Sequence, residues 1–527
     1  MGVRHHGPHG ESGRAGTADE TDSTLTTITS TDPRTGATID TGIEATSDEQ
    51  VATTAALAAV AFPELRRHPR QWRAGLLRAL ADGLEERRAE LVSTALSETG
   101  LTSPRLAGEL SRTVFQLRLF ATAVLDGGYL EAIIDHAGET PMGPGPDVRR
   151  MLVPIGPIAV FGSSNFPFAF SVPGGDTASA LAAANPVIVK AHSSHPLTSR
   201  AAFEAMRDAA ATYGAPHGLL GIVYGQRAGA TLVADAHVAA VGFTGSLSTG
   251  RILLDIIEAR ERPIPFYGEL SSLNPLIVTA AAVDSRAAAI AEGLFTSFTG
   301  SAGQLCTKPG IAFLPQNADW LVATLVERAT DATAQPLLNE RIFRSFGEIR
   351  TRLVEEGRAR VLVEPRAGAD GFTLTPGILE VDAIDVTEAT AEEAFGPLIV
   401  LARYNSLDEV RSAMQAIPPS LTATVHSQPE EASTIAPLIE QLQEGAGRIV
   451  FDGFPTGVRV SWGQQHGGPW PATNTAHSSV GVTALRRFLR PLAWQDAPES
   501  VLPIELRDSY TGVPRRVDGI LTLATTP

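Results

Sequence analysis

The sequence predicts an α/β protein made of two open parallel-sheet α/β domains and a small β element. Three observations carry that prediction. Four short apolar runs alternate with helical stretches between Ile158 and Phe243, the pattern of parallel strands joined by crossover helices. A second alternation runs from Asn274 to about Val460. The chain has 527 residues and is 43% hydrophobic, enough for several domains with large buried cores.

Along the chain, residues 1–27 are rich in Gly, His, Ser, Thr and charge and lack an apolar core of signal-peptide length. They predict a disordered tail, with metal chelation by His5, His6 and His9 as the alternative. Thr31 to Ile43 places turn residues among short β-type stretches. Ala52 to Ala61 is alanine-rich and predicts a helix. From Trp72, apolar residues recur at Leu76, Leu77, Leu80, Leu84 and Leu91 with helical period. Two or three helices are therefore expected before Met151.

The first alternation then reads as strand Ile158 to Phe161, helix Thr177 to Ala184, strand Val187 to Val189 and helix Ser199 to Ala211. Strands at Leu220 to Tyr224 and Ala239 to Phe243 follow. Such sheets bind ligands beyond the carboxyl ends of their strands. Asn165, Lys190, Arg227 and Gly245-Ser246 all fall there. In the second alternation, Pro365 to Thr375 and Pro418 to Ser420 read as loops. The final segment from Pro491 carries the short apolar run Gly519 to Leu523, an expected edge strand. Gly127 to Arg150 reads either as a partner of that segment or as a surface loop.

A formal net charge of −16 with no Lys/Arg run argues against nucleic-acid partners and anionic membranes. No apolar run is long enough to span a bilayer. The one cysteine cannot form an internal disulfide, which fits a reducing compartment. Together these predict a soluble, cytoplasmic protein.

Four places offer chemistry, each with a plainer reading beside it. Cys306 follows the small residues Gly300, Ser301, Ala302 and Gly303. A thiolate is a strong nucleophile, and a neighbouring helix N-terminus would lower its pKa. A lone cysteine is otherwise a buried structural residue. Glu269 ends the apolar stretch Ile264 to Gly268, where a raised carboxyl pKa would suit a general base. It could equally be a solvated surface residue. The amide of Asn165 in Ser163-Ser164-Asn165-Phe166-Pro167 could donate to an oxyanion, or simply serve a turn. Gly242-Phe243-Thr244-Gly245-Ser246 opens a helix from Thr249 to Ala259 and could receive a pyrophosphate, although a helix cap explains it as well.

Taken together and in order, these segments resemble the aldehyde dehydrogenase superfamily from about Ser30 to Arg490. That family usually shows P-W-N-F-P, K-P-S-E, F-T-G-S, E-L-G-G, G-Q-x-C and E-x-F-G-P. This chain reads S-S-N-F-P, K-A-H-S, F-T-G-S, E-L-S-S, G-Q-L-C and E-A-F-G-P. The resemblance implies that Cys306 attacks an aldehyde and that Asn165 and the Cys306 N–H hold the oxyanion. Hydride passes to a nicotinamide cofactor, and Glu269 activates the water that releases a carboxylic acid. It implies cofactor contacts for Lys190, Ser246 with Gly245, and Glu393 with Phe395. It also implies a cofactor-binding domain from residues 28–126 and 151–270 and a catalytic domain from residues 271–460. Residues 127–150 and 491–527 would form an oligomerisation element of a homodimer or homotetramer.

The departures from the family pattern are informative. Ser193 replaces the glutamate that holds the free 2′-hydroxyl of NAD, and a hydroxyl does not repel a 2′-phosphate. Lys190, Ser193 and Arg227 could receive that phosphate. NADP is therefore the expected cofactor, with NAD as the alternative. The C-terminal region carries Gln465-His466-Gly467-Gly468-Pro469-Trp470-Pro471, Ser478-Ser479-Val480-Gly481 and Arg487-Phe488-Leu489-Arg490-Pro491. This resembles a branch holding 2,5-dioxovalerate (α-ketoglutarate semialdehyde) dehydrogenases and an NADP-linked bacterial fatty aldehyde dehydrogenase. His466 then either assists proton transfer at the thiol or shapes the substrate wall.

Oxidation of 2,5-dioxovalerate to 2-oxoglutarate is the expected reaction, with fatty aldehyde oxidation as the alternative. Arg487 and Arg490 are open as carboxylate ligands. Phe166, Phe168, Phe170, Phe298 and Trp470 are open as tunnel walls or core. A CoA-acylating enzyme is disfavoured by Glu269, and a catalytically retired binding protein by the joint presence of Cys306, Glu269 and Asn165. No metal is expected, since one cysteine cannot supply the ligand sets of a metal-dependent alcohol dehydrogenase.

Overall fold

In the computed structural model, which describes residues 27–525, the chain builds one seven-stranded and two five-stranded sheets, with three two-stranded pairs besides. Residues 1–26 of the expected tail, with its histidines, lie outside the described residues, and Thr27 opens the strand Thr27–Asp32. The first sheet has the order Phe266–Glu269, Ala240–Thr244, Ile158–Phe161, Val187–Lys190, Leu220–Val223, and every pair is parallel. Its strands are continuous apolar runs because both faces are covered. Ile158, Val160, Val187 and Val189 enter one core with Leu76, Leu80 and Leu117. Their neighbours Ala159, Phe161 and Ile188 enter another with Val51, Leu232 and Leu253. The strand period of two thus decides which helices each side chain meets.

The sequence places the strands of this sheet, and four helices precede it where two or three are expected. They are Asp48–Leu65, Arg70–Glu86, Arg88–Thr99 and Ser103–Asp126. The apolar series from Trp72 breaks at Arg87, so Leu91 belongs to a separate helix. The fourth helix has clear signals of its own. Thr102 caps it, Pro104 sits in its first turn and Gly127 ends it in a left-handed conformation.

The second sheet has the order Arg360–Val363, Gly377–Asp382, Leu398–Tyr404, Ile311–Pro315, Leu276–Val278, Ser420–His426, Ala446–Phe451. Only the outermost pair, Arg360–Val363 with Gly377–Asp382, is antiparallel. Of the two segments read as loops within it, Pro365 to Thr375 carries the short strand Thr373–Leu374, and Ser420 opens a strand. The third sheet brings Leu489–Gln495, Val148–Pro154, Ala132–Asp135, Arg515–Val517 and Ile520–Thr522 side by side. The two segments expected to act together, residues 127–150 and 491–527, do meet in this sheet. Ile520–Thr522 is its edge strand, and Ile520, Leu521 and Leu523 are exposed there.

The junction between the two large sheets positions everything that follows. The first sheet delivers its carboxyl edge at Glu269. The chain then crosses Leu270 to Pro275 and enters the second sheet at Leu276–Val278. The carboxyl edge of one sheet therefore faces the amino edge of the other. Cys306 lies just before Ile311–Pro315, and Glu393 just before Leu398–Tyr404. Among the described residues, no helix is long and apolar enough to cross a membrane.

Asn185 fixes the first sheet to the rest. Its side chain is fully buried; Oδ1 accepts from the N–H groups of Ile155 and Gly156, both at 2.9 Å, and Nδ2 donates to the Phe488 carbonyl at 2.9 Å. Asn185→Leu leaves these backbone groups unpaired and is expected to destabilise the protein by about 3 kcal/mol. Scanning calorimetry reads this as a lowered first unfolding transition; a change under about 1 kcal/mol would contradict it.

Candidate active site

The thiol is placed by its loop. A short 3-10 turn, Gly300–Gly303, follows helix Ala280–Thr299, and Ser301, Ala302 and Gly303 all have positive φ. A Cβ on Gly303 would collide with the carbonyl of Gly396. The glycine before Gln304 and the Gly396-Pro397 pair are thus two halves of one close approach. Asn274, itself in the left-handed region, reaches this loop from the inter-sheet crossing. Its Nδ2 lies 2.8 Å from the Cys306 carbonyl and 3.0 Å from that of Lys308, and its Oδ1 accepts from Thr422 N–H at 3.2 Å. Lys308 then donates to the carbonyls of Ala394 (3.0 Å) and Leu398 (2.9 Å), tying the thiol loop to the segment that carries Glu393.

Three of the sequence candidates converge on one imidazole. His466 Nε2 lies 3.0 Å from Glu269 Oε1 and 3.6 Å from Cys306 Sγ. The His466 side chain is fully buried, and its Nδ1 has no hydrogen-bond partner among the described residues. The second Glu269 oxygen accepts from Ser479 Oγ at 2.6 Å. Ser478 and Ser479 also brace the His466 backbone, the first accepting from its N–H and the second donating to its carbonyl, both at 2.9 Å. The C-terminal block is therefore folded onto the strand end that bears Glu269.

Two electrostatic expectations are overturned. Burial does raise the Glu269 carboxyl, but the neighbouring His466 and the hydrogen bonds from His466 and Ser479 outweigh it and hold the group below the usual range. Cys306 sits after a 3-10 turn, not at a helix N-terminus. Burial pushes its thiol well up, and the carboxylates of Glu269 and Glu393 push it further against the smaller pull of Arg112 and Arg448. The resting sulfur is thus held as a thiol. His466 Nε2 is the atom in reach.

Asn165 reaches the same loop from the first sheet, donating through Nδ2 to the Gln304 carbonyl at 2.8 Å. Glu393 is pushed up by burial, with Lys308 and the Ser272 N–H (2.9 Å) pulling it back. Phe395 is half-buried beside it. Gly245 donates its N–H to the Glu269 carbonyl at 3.0 Å, and Ser246 caps helix Leu247–Glu258. Lys190, at its strand end, is lowered to about 8 by burial and by the nearby cation Arg341. Ser193 is exposed three residues beyond Lys190 on the same loop, whereas Arg227 is committed to an ion pair with Asp48 at 2.5 Å with its side chain 85% exposed.

The remaining candidates sort by burial. Phe168 and Phe298 are core, Trp470 is 45% exposed, and Phe166 and Phe170 pack edge to face at 5.2 Å near the imidazole. Arg487 is buried against Asp176 at 2.6 Å, and Arg490 is exposed. The sequence reading missed Asn274, Lys308, Ser479 and Arg341. Ser479 lay inside the quoted C-terminal block, but only the fold brings it to Glu269. The Glu269, Cys306 and His466 donor atoms lie within 4.8 Å of one another, so they are also the set that a thiophilic divalent ion could occupy.

The profile of the aldehyde dehydrogenase family matches residues 20–463. The chain is 41% identical to alpha-ketoglutaric semialdehyde dehydrogenase 2 of Azospirillum brasilense, over 93% of this chain and 95% of that one. It is 36% identical to alpha-ketoglutaric semialdehyde dehydrogenase of Acinetobacter baylyi, over 91% and 92%. Among solved structures, an aldehyde dehydrogenase from Bacillus cereus shares the fold with a TM-score of 0.76 at 21% identity, covering 89% of this chain and 93% of that one. The chain belongs to the aldehyde dehydrogenase family. It is an oxidoreductase acting on an aldehyde, and a nicotinamide dinucleotide is its cofactor.

The raised thiol makes a direct prediction. Because Cys306 is the sole cysteine, iodoacetamide reports on it alone. Alkylation at pH 7 should be at least ~10-fold slower than for a free cysteine and should climb steadily above pH 9. A fast reaction that is flat with pH would show a thiolate already present.

Proposed function

We propose that the protein oxidises 2,5-dioxovalerate to 2-oxoglutarate with NADP, using Cys306 as nucleophile. The observation that carries the reading is the imidazole nitrogen within reach of both Cys306 and Glu269. His466 Nε2 takes the thiol proton as Sγ attacks the aldehyde carbon. Asn165 Nδ2 turns from the Gln304 carbonyl to the oxyanion of the thiohemiacetal, joined by the Cys306 N–H. A nicotinamide dinucleotide, when bound, would supply the hydride acceptor, and Cys306 would then hold the acyl group as a thioester. Glu269, already ionised, then takes a proton from the water that attacks the thioester carbon; the C–S bond breaks, the sulfur takes back the proton held by His466, the acid leaves, and Glu269 returns its proton to solvent. With Glu269 in place, water rather than CoA is the acyl acceptor.

The residues present fit a dinucleotide. Lys190, Gly245-Ser246 and Glu269 line up along the carboxyl edge of the first sheet, where its strand order reverses between Ile158–Phe161 and Ala240–Thr244. Lys190, with Arg341 close by and Ser193 where a glutamate would stand, favours the 2′-phosphate of NADP. Arg227 could join them only by leaving Asp48. Glu393 and Phe395 would hold the nicotinamide end. The exposed apolar edge at Ile520 to Leu523 supports the third sheet as the contact surface of a homodimer or homotetramer. The relatives' activity on alpha-ketoglutaric semialdehyde, the same compound as 2,5-dioxovalerate, supports the substrate.

An aldehyde panel with both cofactors tests the reading. 2,5-Dioxovalerate with NADP is expected to give the highest kcat/KM, and Cys306→Ala to abolish reduction of the cofactor. A higher kcat/KM for decanal would overturn the substrate, and a clear preference for NAD would overturn the cofactor.

A further inference from the structure

Arg112 lies on helix Ser103–Asp126, one turn beyond Glu109. Its Nη1 and Nη2 are buried and have no hydrogen-bond partner among the described residues. Only Nε is engaged, 3.4 Å from the Val458 carbonyl. The guanidinium carbon sits 5.1 Å from the centroid of the Phe170 ring, and that ring is 6.0 Å from His466. The charge of this cation also acts on Cys306 and Glu269, which places it beside the thiol site.

The nearby carboxylates are already taken. Glu109 Oε1 accepts from the N–H groups of Phe168 and Ala169, both at 2.8 Å, and Oε2 pairs with Arg105 at 2.6 Å. Glu269 is held by His466 and Ser479. Arg448, the other cation acting on the thiol, donates through Nη2 to the Pro455 carbonyl at 2.7 Å and through Nη1 to the Gly457 carbonyl at 3.4 Å, which leaves only its Nε unpaired among the described residues. A guanidinium stays charged at any physiological pH, and a buried one without a counter-ion is costly. Its planar pair of N–H donors matches a carboxylate in two-point geometry.

We propose that Arg112 is the receptor for a carboxylate at the far end of the aldehyde substrate, so that the site selects short aldehydes bearing a terminal carboxylate. This rests on the proposed reaction at Cys306 and adds the group that chooses its substrate. The Phe170 ring stacks under the guanidinium at 5.1 Å and holds it in place. Arg487 and Arg490 play no part, the first being paired with Asp176 and the second exposed.

Kinetics of Arg112→Met and Arg112→Lys test the assignment, using 2,5-dioxovalerate and succinic semialdehyde against pentanal and butanal. The expected result is a loss of roughly 100-fold in kcat/KM for the two carboxylated aldehydes in Arg112→Met, mostly through KM. The loss for the neutral aldehydes should be at least about 10-fold smaller, and Arg112→Lys should recover part of the difference. Equal losses on both classes would make Arg112 a structural residue and overturn the proposal, as would no loss on either. The thermal midpoint of each variant reports misfolding, and Arg112→Lys keeps the comparison available if Arg112→Met is unstable. A wild-type enzyme that favours 2,5-dioxovalerate while Arg112→Met retains that preference would overturn the receptor and leave the reaction standing. A wild-type enzyme that favours decanal over every carboxylated aldehyde would overturn both.

Discussion

One nitrogen, His466 Nε2, lies within reach of a thiol that resists ionisation and a carboxylate that favours it. Burial and two nearby carboxylates raise the Cys306 thiol, while His466 and Ser479 hold the Glu269 carboxyl down. Loss of the proton from the sulfur is therefore uphill in the resting site, and His466 Nε2 is the nitrogen placed beside both groups. The second imidazole nitrogen is buried without a partner, so the ring is oriented from the Nε2 side and from its own backbone. The single hydrogen-bonding edge of that ring is what the rest of the site is arranged around.

The fold supplies that arrangement by facing two sheets edge to edge. The carboxyl edge of the first sheet contributes Asn165, Lys190, Ser246 and Glu269, and the amino edge of the second contributes Cys306 and Glu393. The segment from Leu270 to Pro275 links them, and Asn274 within it bonds to both the Cys306 loop and the strand Ser420–His426. The C-terminal block then closes over the junction, where Leu270 N–H donates to Ala472 and Ser479 reaches Glu269. Segments far apart in sequence therefore depend on one another for the geometry of a few atoms.

Much of this was legible in the sequence, for stated physical reasons. Strands such as Ile158–Phe161 and Val187–Lys190 are short apolar runs between helices, and local patterning is enough to find them. The motif order around Asn165, Glu269, Cys306 and Glu393 singled out residues that the fold brings to the junction of the two sheets. What stayed hidden is what depends on contact. The direction of both pKa shifts required knowing that His466 lies between Cys306 and Glu269. Arg112 looked like any charged residue on an amphipathic helix, and its two unpaired nitrogens exist only once Glu109 is seen to be occupied by Arg105 and the Phe168–Ala169 backbone. Arg227 looked like a phosphate ligand until Asp48 was placed beside it.

The account stands on the proton path from Cys306 through His466. The most direct measurement is the burst of NADPH formed on mixing enzyme, NADP and aldehyde, followed against pH in His466→Asn. The account predicts a burst at least ~100-fold slower than wild type at pH 7, with the gap narrowing as rising pH ionises the thiol directly. A burst of wild-type rate at pH 7 in His466→Asn would contradict it.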